Sequence, residues 1–538
     1  MDLKTATVGA KLSNKEIIGL LVASFLAFLL YSFFSWQAPW RFNSPDEAAN
    51  AFWAERLSAG QSLKVLSPLN QIAQSPIIHP RSTRIIGNNL QPVSFLGLPL
   101  AAGGLAYFFG HGLLPYLTPL LAVLGLAAWY LILRKFFDKP TTVIGWVLLA
   151  GLPANWYYQS RPFFHNGGFF SLLLITWWFS CQALQKKSYW LFGLSGLTAG
   201  LSVAFRSSEI FWLLLIAIIW FYSYRRQLSW RFIVCFVLGG LIGFSPIILA
   251  NLIIYGQPLS IAYQTIGLGQ AVNLGSTVSL LKQLILPFGW HPKIILNTVG
   301  NYLITLNWLW FILVTVGWLW LGRNLNKFNQ RQKSIFGLTI LISLWLIILY
   351  GSWLFNDNPD PKAVTIGTSY VRYWLPVYAL ALIPAAVYLG KLSAKYLGKY
   401  LVAVFLLGYL VWSAYAVIWS EPEGLLRVRF NVEKFDKVGQ AVQQLTPVNS
   451  VIVSGKTDKF FWPERQVIVN LENQADYLAV VNLLKGGWEV YRFHPTWPME
   501  TFNDLNAKRL KDYGLQIKLI KGDWEGFSLY QFNLLNNL

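Results

Sequence analysis

The strongest constraint on this chain is a series of long apolar runs almost free of charge. They lie at about 16–36, 113–133, 141–158, 166–184, 189–205, 209–224, 232–255, 298–322, 335–355, 371–390 and 400–420. Each is near the roughly 20 residues needed to cross a hydrocarbon core of about 30 Å. In lipid every backbone N–H and C=O must be satisfied within the chain, so such runs fold as helices. With 55% hydrophobic and only 12% charged residues among 538, the chain has too little polar surface for a soluble multidomain protein. The expected class is an α-helical polytopic membrane protein with about 11 to 13 transmembrane helices. The first run has no small-residue cleavage site after it, which favours an uncleaved anchor over a signal peptide.

A formal charge of +20 raises nucleic acid as a partner, and the position of the charge removes it. Basic residues collect in short loops, including Lys4, Lys11 and Lys15; Arg134, Lys135 and Lys139; Lys186 and Lys187; Arg225, Arg226 and Arg231; Arg323, Lys327, Arg331 and Lys333; and Lys391, Lys395 and Lys399. That is the positive-inside pattern, so membrane lipids are expected partners and nucleic acid is not. The 26 Trp fit rings at membrane interfaces and between helices. Cys181 and Cys235 both fall in apolar runs and imply no disulfide framework or Cys metal site.

If the basic loops are cytoplasmic, the segments facing outward are 159–165, 206–208, 257–297, 356–370 and everything after Ser420. One segment does not fit this alternation. "PVSFLGLPLAAGGLAYFFG", Pro92 to Gly110, is apolar enough to span, yet spanning would put the Arg134 loop on the wrong side. It is expected to be an interfacial or re-entrant helix. The first outward loop is then long, about 37–112, within a membrane domain at 1–420. From 421 to 538 the pattern changes to short β-like runs ("SVIVSG", "QVIVN", "GWEVYRF", "LQIKLI", "FSLYQF") with helical stretches such as Val432 to Leu445 between them. This predicts a small extracytoplasmic α/β domain.

The first loop contains "RFNSPDEAANAF", in which Ser44, Pro45 and Glu47 take the N-cap, N1 and N3 positions of a capping box. Its two adjacent acids, Asp46 and Glu47, suit the positive end of a helix dipole. Placed after a first membrane span, this motif resembles the first extracytoplasmic loop of the C-type (GT-C) glycosyltransferases. The closest branch is that of the protein O-mannosyltransferases and lipid A aminoarabinose transferases. Family members follow the loop with a Pro-led amphipathic segment ending in Phe-Gly and a span ending in basic residues, as Pro92–Gly110 and Arg134-Lys135 do here. "VAFRSSEIFWLLL" resembles the family's basic residue near the lipid phosphate, at Arg206. "SYVRYWLPVY" resembles its Arg-Tyr-x-x-Pro element, at Arg372, Tyr373 and Pro376. Where many relatives carry a further acid, "SRPFFHNGG" has His165 and Asn166, which departs from a two-carboxylate or metal-bridged site.

The resemblance implies Asp46 as the catalytic base, with Glu47 beside it as second acid or plain capping partner. It implies a polyprenyl-phosphate-linked sugar as donor, and a glycan, lipid or protein as acceptor. Transfer of this kind needs a base near the acceptor and cations on the departing phosphate. The candidate cations are Arg206 and Arg372, with Arg81 and Arg84 from "HPRSTRIIGNN". For Arg206 the competing reading is an ion pair with Glu209, and for Arg81 and Arg84 it is contact with lipid headgroups. His165, Asn166 and Tyr373 are candidate site-lining residues. His79, His165 and His291 are isolated in sequence, so no metal site is assigned and a divalent metal is left open by the family alone. Asp357 and Asp360 lie in a turn-rich loop that either lines an acceptor entrance or simply turns.

The resulting expectation is a membrane glycosyltransferase acting on the outer side of the cytoplasmic membrane. The alternative is a transporter or lipid flippase, which would place ionisable groups near span midpoints, whereas here they crowd span ends.

Overall fold

The computed structural model describes residues 12–35, 40–259, 286–355, 357, 360 and 362–535. It forms two compact units. The first comprises 1–36, 115–250 and 265–428, and the second comprises 37–114, 251–264 and 429–538.

Among the described residues, eight helices are long and apolar enough to cross a membrane: Asn14–Ser32, His111–Phe136, His165–Lys186, Trp230–Tyr255, Trp308–Lys327, Gln330–Gly351, Leu375–Ser393 and Tyr396–Trp419. These coincide with eight of the expected runs, and the chain is a multi-pass membrane protein. The runs at 189–205 and 209–224 form a pair of helices, Tyr189–Phe205 and Ser207–Ser223, bent by 116°. The backbone of Arg206 leaves helical space there (φ −146°, ψ 85°). The run at 141–158 divides into Lys139–Ala150 and Pro153–Gln159, with Pro153 opening the second piece. A residue before proline is pushed out of the α region, and Leu152 accordingly has ψ 121°.

Helices Tyr189–Phe205 and Trp230–Tyr255 meet along a seam of glycines. A Cβ placed on Gly196 would lie 1.9 Å from the Phe236 carbonyl oxygen, and one on Gly200 would lie 2.1 Å from that of Gly240. From the other side, a Cβ on Gly239 would lie 2.1 Å from the Gly193 oxygen, and one on Gly243 2.2 Å from that of Leu197. Backbones this close pack by direct contact, the arrangement that small residues spaced four apart permit in membranes.

The second unit joins the first loop to the C-terminal segment. Helix Pro45–Ser58 begins with the expected capping box and packs against helix Gly97–Phe109. Their close approach requires Gly103, whose Cβ would sit 2.6 Å from the Leu57 Cβ and 2.7 Å from the Ala54 oxygen. At 13 residues Gly97–Phe109 is too short to span, and Tyr107, Phe108 and Phe109 at its end are exposed, as befits an interfacial helix. Between these helices β1 (Val65–Leu66), β2 (Thr83–Ile86) and β3 (Asn89–Pro92) form an antiparallel sheet in the order β1-β3-β2.

The C-terminal segment starts with helix Leu425–Leu445 and builds a five-stranded sheet from β4 (Ser450–Val453), β5 (Gln466–Ile468), β6 (Glu489–Pro495), β7 (Leu515–Trp524) and β8 (Phe527–Leu534). All five expected strand runs are present, in the order β5-β4-β6-β8-β7. Strands β5, β4 and β6 are parallel, and β8 and β7 are antiparallel additions. One face of this sheet carries helix Gln474–Lys485 and a core of Val451, Val453, Ile468, Val480, Leu483 and Val490. Leu69, Ala73 and Ile78 of the first loop enter the same core.

Candidate active site

The acidic candidate is set at the N-terminus of helix Pro45–Ser58. The Ser44 Oγ accepts the Asp46 N–H at 3.3 Å, and the Glu47 Oε2 accepts the Ser44 N–H at 3.3 Å. Glu47 is buried, at 1% exposure, and its carboxylate serves the cap. Asp46 accepts a hydrogen bond from the Ser82 Oγ, at 2.7 Å on Oδ1. Ser82 has φ +59°, a left-handed conformation that costs a non-glycine residue energy and must be held by its surroundings. Arg81 supplies that hold. Its N–H donates to the Asp458 Oδ2 at 2.8 Å, and its Nε and Nη2 donate to Oδ1 at 2.9 and 2.7 Å. The Thr83 Oγ1 closes the turn on the Pro80 carbonyl at 2.6 Å. The result is a carboxylate at the positive end of a helix dipole, oriented by a hydroxyl on a clamped loop.

Two other residues of this loop are also fixed. The Arg84 guanidinium lies over the Tyr255 ring at 5.1 Å, and the Tyr255 hydroxyl donates to the Pro92 carbonyl at 2.8 Å. The His79 Nδ1 lies 2.9 Å from the Pro80 carbonyl, and burial holds its pKa below the usual histidine value.

In the first unit, Arg206 occupies the bend between Tyr189–Phe205 and Ser207–Ser223. Its Nε donates to the Glu209 Oε1 at 2.8 Å, and its Nη2 lies 2.7 Å from the same oxygen. The Trp212 Nε1 donates to the Glu209 Oε2 at 2.5 Å, and the Tyr350 hydroxyl donates to Oε1. The ion pair weighed against function in the sequence is therefore present, and it keeps Arg206 in a buried position.

The same guanidinium starts a row of alternating cations and rings. Arg206 lies 4.4 Å from the centroid of Tyr373, and Arg372 lies 5.3 Å from it. Arg372 is also 5.0 Å from the Phe164 ring, and Arg161 is 4.7 Å from that ring. Arg161 extends the row to Tyr157, over whose ring it lies at 5.4 Å while its Nη1 donates to the hydroxyl at 2.8 Å. Arg161 and Arg206 are buried and Arg372 is half-buried between them. Ring faces attract guanidinium charge, so the row holds three like charges near one another.

An apolar cavity of about 430 Å³ adjoins this row. Its walls include Phe170, Trp177, Gly200, Leu213, Phe244 and Pro376, and Trp212 belongs both to the wall and to the Glu209 hydrogen bond. The link from this apolar space to the cations runs from Trp212 through Glu209 to Arg206.

The sequence candidates thus fall into two groups. Asp46, Glu47, Arg81 and Arg84 are gathered in the second unit. Arg206, Arg372 and Tyr373 are gathered in the first, together with Asn166, whose Nδ2 donates to the Arg372 carbonyl at 3.2 Å, and buried His165 beside it in sequence. Asp360 accepts the Lys362 N–H at 2.9 Å, the hydrogen bond of a turn, whereas Asp357 accepts the N–H of Ser369, twelve residues on, at the start of helix Ser369–Tyr373. Among the described residues no group of three His, Cys, Asp or Glu side chains is placed to hold a metal ion. Sequence reasoning did not single out Ser82, Asp458 or Arg161. Only Arg161, a cation in an apolar outward loop, carried a signal that a reader could have used.

A family model described as dolichyl-phosphate-mannose-protein mannosyltransferase matches residues 104–249. The chain is also similar to the crystal structure of ArnT from Cupriavidus metallidurans bound to undecaprenyl phosphate. Identity is 11%, 97% of this chain and 98% of that chain are covered, and the TM-score is 0.53. The apo form of the same protein gives 11% identity, 96% and 98% coverage, and a TM-score of 0.53. No curated protein sequence matches. The fold is that of the GT-C class anticipated from the loop motif.

Proposed function

We propose that this chain is an integral membrane glycosyltransferase that moves a sugar from a polyprenyl-phosphate donor to a glycan, lipid or protein acceptor on the outer face of the cytoplasmic membrane. The family match and the GT-C fold support the coarser part, a multi-pass membrane glycosyltransferase. The observation that supports a polyprenyl-phosphate donor is the row Arg206-Tyr373-Arg372-Phe164-Arg161, linked at Arg206 through Glu209 and Trp212 to an apolar cavity. A polyprenyl phosphate has the two chemistries that this arrangement offers to meet.

In the reaction, Asp46 takes the proton of the acceptor hydroxyl as its oxygen attacks the anomeric carbon. The bond from that carbon to the phosphate oxygen breaks, and its electron pair stays on the phosphate. Arg206 and Arg372, with Arg161 in the same row, stabilise the charge that develops there, and Arg84 is proposed as a further phosphate contact. Arg81 is assigned to holding the Ser82 turn, and Glu47 to starting the helix. His165, Asn166 and Tyr373 line the site, the last as the ring shared by two cations. The domain after residue 420 orients the acceptor.

The test is transfer from a panel of radiolabelled polyprenyl-phosphate sugars to membrane extract by purified wild type and by Arg372→Gln. Product from wild type, with a loss of at least tenfold in the variant, is the expected result. Movement of labelled lipid across a vesicle bilayer without any product would replace the enzyme reading with the flippase one.

A further inference from the structure

The C-terminal sheet carries a second cationic cluster, remote in sequence from every residue assigned above. Arg492 is on β6, on the face packed against helix Gln474–Lys485, with Tyr530 of β8 as its register partner. It is half-buried, and its Nε is sealed from solvent without a hydrogen-bond partner. Among the described residues neither Arg492 nor Arg509 belongs to an ion pair. Burial and the charge of Arg509 work against the Arg492 cation, while the Tyr477 hydroxyl favours it by charge and by hydrogen bonding.

Rings frame both guanidiniums. Arg492 lies 5.1 Å from the Trp497 centroid, and Arg509 lies 5.2 Å from that of Tyr477. Tyr477 stacks on Tyr513 at 4.9 Å with a 3° interplanar angle, and Trp497 stacks on His494 at 4.2 Å. The His494 Nδ1 is engaged with the Pro495 carbonyl at 2.8 Å. The nearby carboxylate, Asp476, is turned to its own helix start, where Oδ2 accepts the Glu472 and Asn473 N–H groups at 2.8 and 3.1 Å. Arg509 is exposed, so the cluster opens to solvent on that side.

A guanidinium N–H sealed from water without an acceptor is costly to the fold, and a second cation acting on it adds to that cost. Such a pair is stabilised by a ligand that brings oxygen acceptors and negative charge, and a guanidinium fork fits the oxygens of phosphate or carboxylate. Arg492 is also the last residue of β6 in the parallel ladder with β4, opposite Val453 at the carboxyl end of that strand, and open α/β sheets bind their ligands beyond such ends.

We infer that Arg492 and Arg509 form an oxyanion-binding site in the C-terminal domain, and that it holds an anionic group of the acceptor. The second half of this statement rests on the transferase reading, and the first does not. The shared chemistry is an oxyanion on a larger molecule, either a phosphate or a sugar carboxylate.

The experiment uses the full chain in detergent, with inorganic phosphate and glucuronate as separate probes. Binding is followed by calorimetry and by the shift in melting temperature, for wild type, Arg492→Met, Arg509→Gln and, as control, Arg429→Gln, which removes only an exposed pair with Glu433. The inference expects at least one probe to bind wild type and Arg429→Gln alike, with affinity reduced tenfold or more in Arg492→Met and in Arg509→Gln. It also expects Arg492→Met without probe to melt close to wild type, since the buried Nε has no acceptor to lose and the guanidinium belongs to no ion pair among the described residues. The probe that binds tells phosphate from carboxylate. If both probes bind all four proteins equally, or neither binds any, the site does not exist. A large drop in the melting temperature of Arg492→Met without probe would equally overturn the inference and make the arginine structural. Probe binding lost in the two variants, in a protein that transfers no sugar, would leave the oxyanion site standing and remove the transferase reading instead.

Discussion

Substitution of Gly200 by alanine tests the helix seam beneath the proposed lipid site. Its Cβ would lie 2.1 Å from the Gly240 oxygen and 2.9 Å from the Gly240 carbon. Close carbon–oxygen contacts stop at about 3.3 Å, so Tyr189–Phe205 and Trp230–Tyr255 must separate by about 1 Å. Neither listener to this strain can yield cheaply, because both are backbone atoms. Overpacking of this kind costs about 1–3 kcal/mol, against a gain of roughly 0.5–1 kcal/mol for replacing glycine by alanine in a helix. The expected net loss is about 1–2 kcal/mol. Gly408, on helix Tyr396–Ala414, has nothing within 4 Å of its Cβ and supplies the control. Gly408→Ala should melt at or above the wild-type temperature, and Gly200→Ala several degrees below it. Gly200 and Gly240 also line the 430 Å³ cavity, so the KM for a polyprenyl-phosphate donor should rise in Gly200→Ala more than kcat falls. Equal melting temperatures for the two variants would refute the seam argument, since only one of them meets a backbone atom.

Other predictions follow from ionic groups. Arg206→Gln leaves Glu209 buried with its charge uncompensated, and should cost roughly 3–5 kcal/mol in denaturation, whereas the double variant with Glu209→Gln should cost distinctly less. Arg81→Gln should lower stability by breaking the Asp458 clamp, while Ser82→Ala, which removes one hydrogen bond to Asp46, should lower kcat with a melting temperature near that of wild type. Burial, with Glu464 adding to it and Arg41 opposing it, raises the Glu55 pKa in the fold. A carboxyl raised on folding favours the native state below its unfolded pKa and loses that benefit as pH climbs through the folded value. Glu55→Gln should therefore raise the melting temperature at pH 8, and the difference should disappear as pH falls below about 4.

Much of the architecture was legible because membrane and sheet physics leave periodic marks. Apolar runs gave eight of the described helices directly, and short β-branched or aromatic runs such as "SVIVSG" and "FSLYQF" gave strands. The capping box was legible because it is local, needing only Ser44, Pro45 and Glu47. The Pro92–Gly110 misfit resolved into a 13-residue helix because four residues after β3 precede it, which composition alone does not reveal. What stayed hidden depends on distance along the chain. Arg81 and Asp458 are 377 residues apart, and neither residue signals the other. The Arg206–Glu209 pair was foreseen at three residues' separation, but the ring of Tyr373 between Arg206 and Arg372 required the fold. Helix bends at Leu152 and Arg206 were masked by hydropathy, which counts apolar residues and ignores backbone angles.

The central claim is that Asp46 is the base of a sugar transfer. It is tested most directly by the rate of transfer from a polyprenyl-phosphate sugar with wild type and Asp46→Asn at matched melting temperature. Asparagine keeps the size of the side chain and its acceptor oxygen for Ser82, yet cannot take a proton. The account predicts a fall in kcat of about 10²–10⁴-fold with little change in donor binding. Equal rates in the two proteins would contradict it and leave Asp46 as a helix-start residue alone.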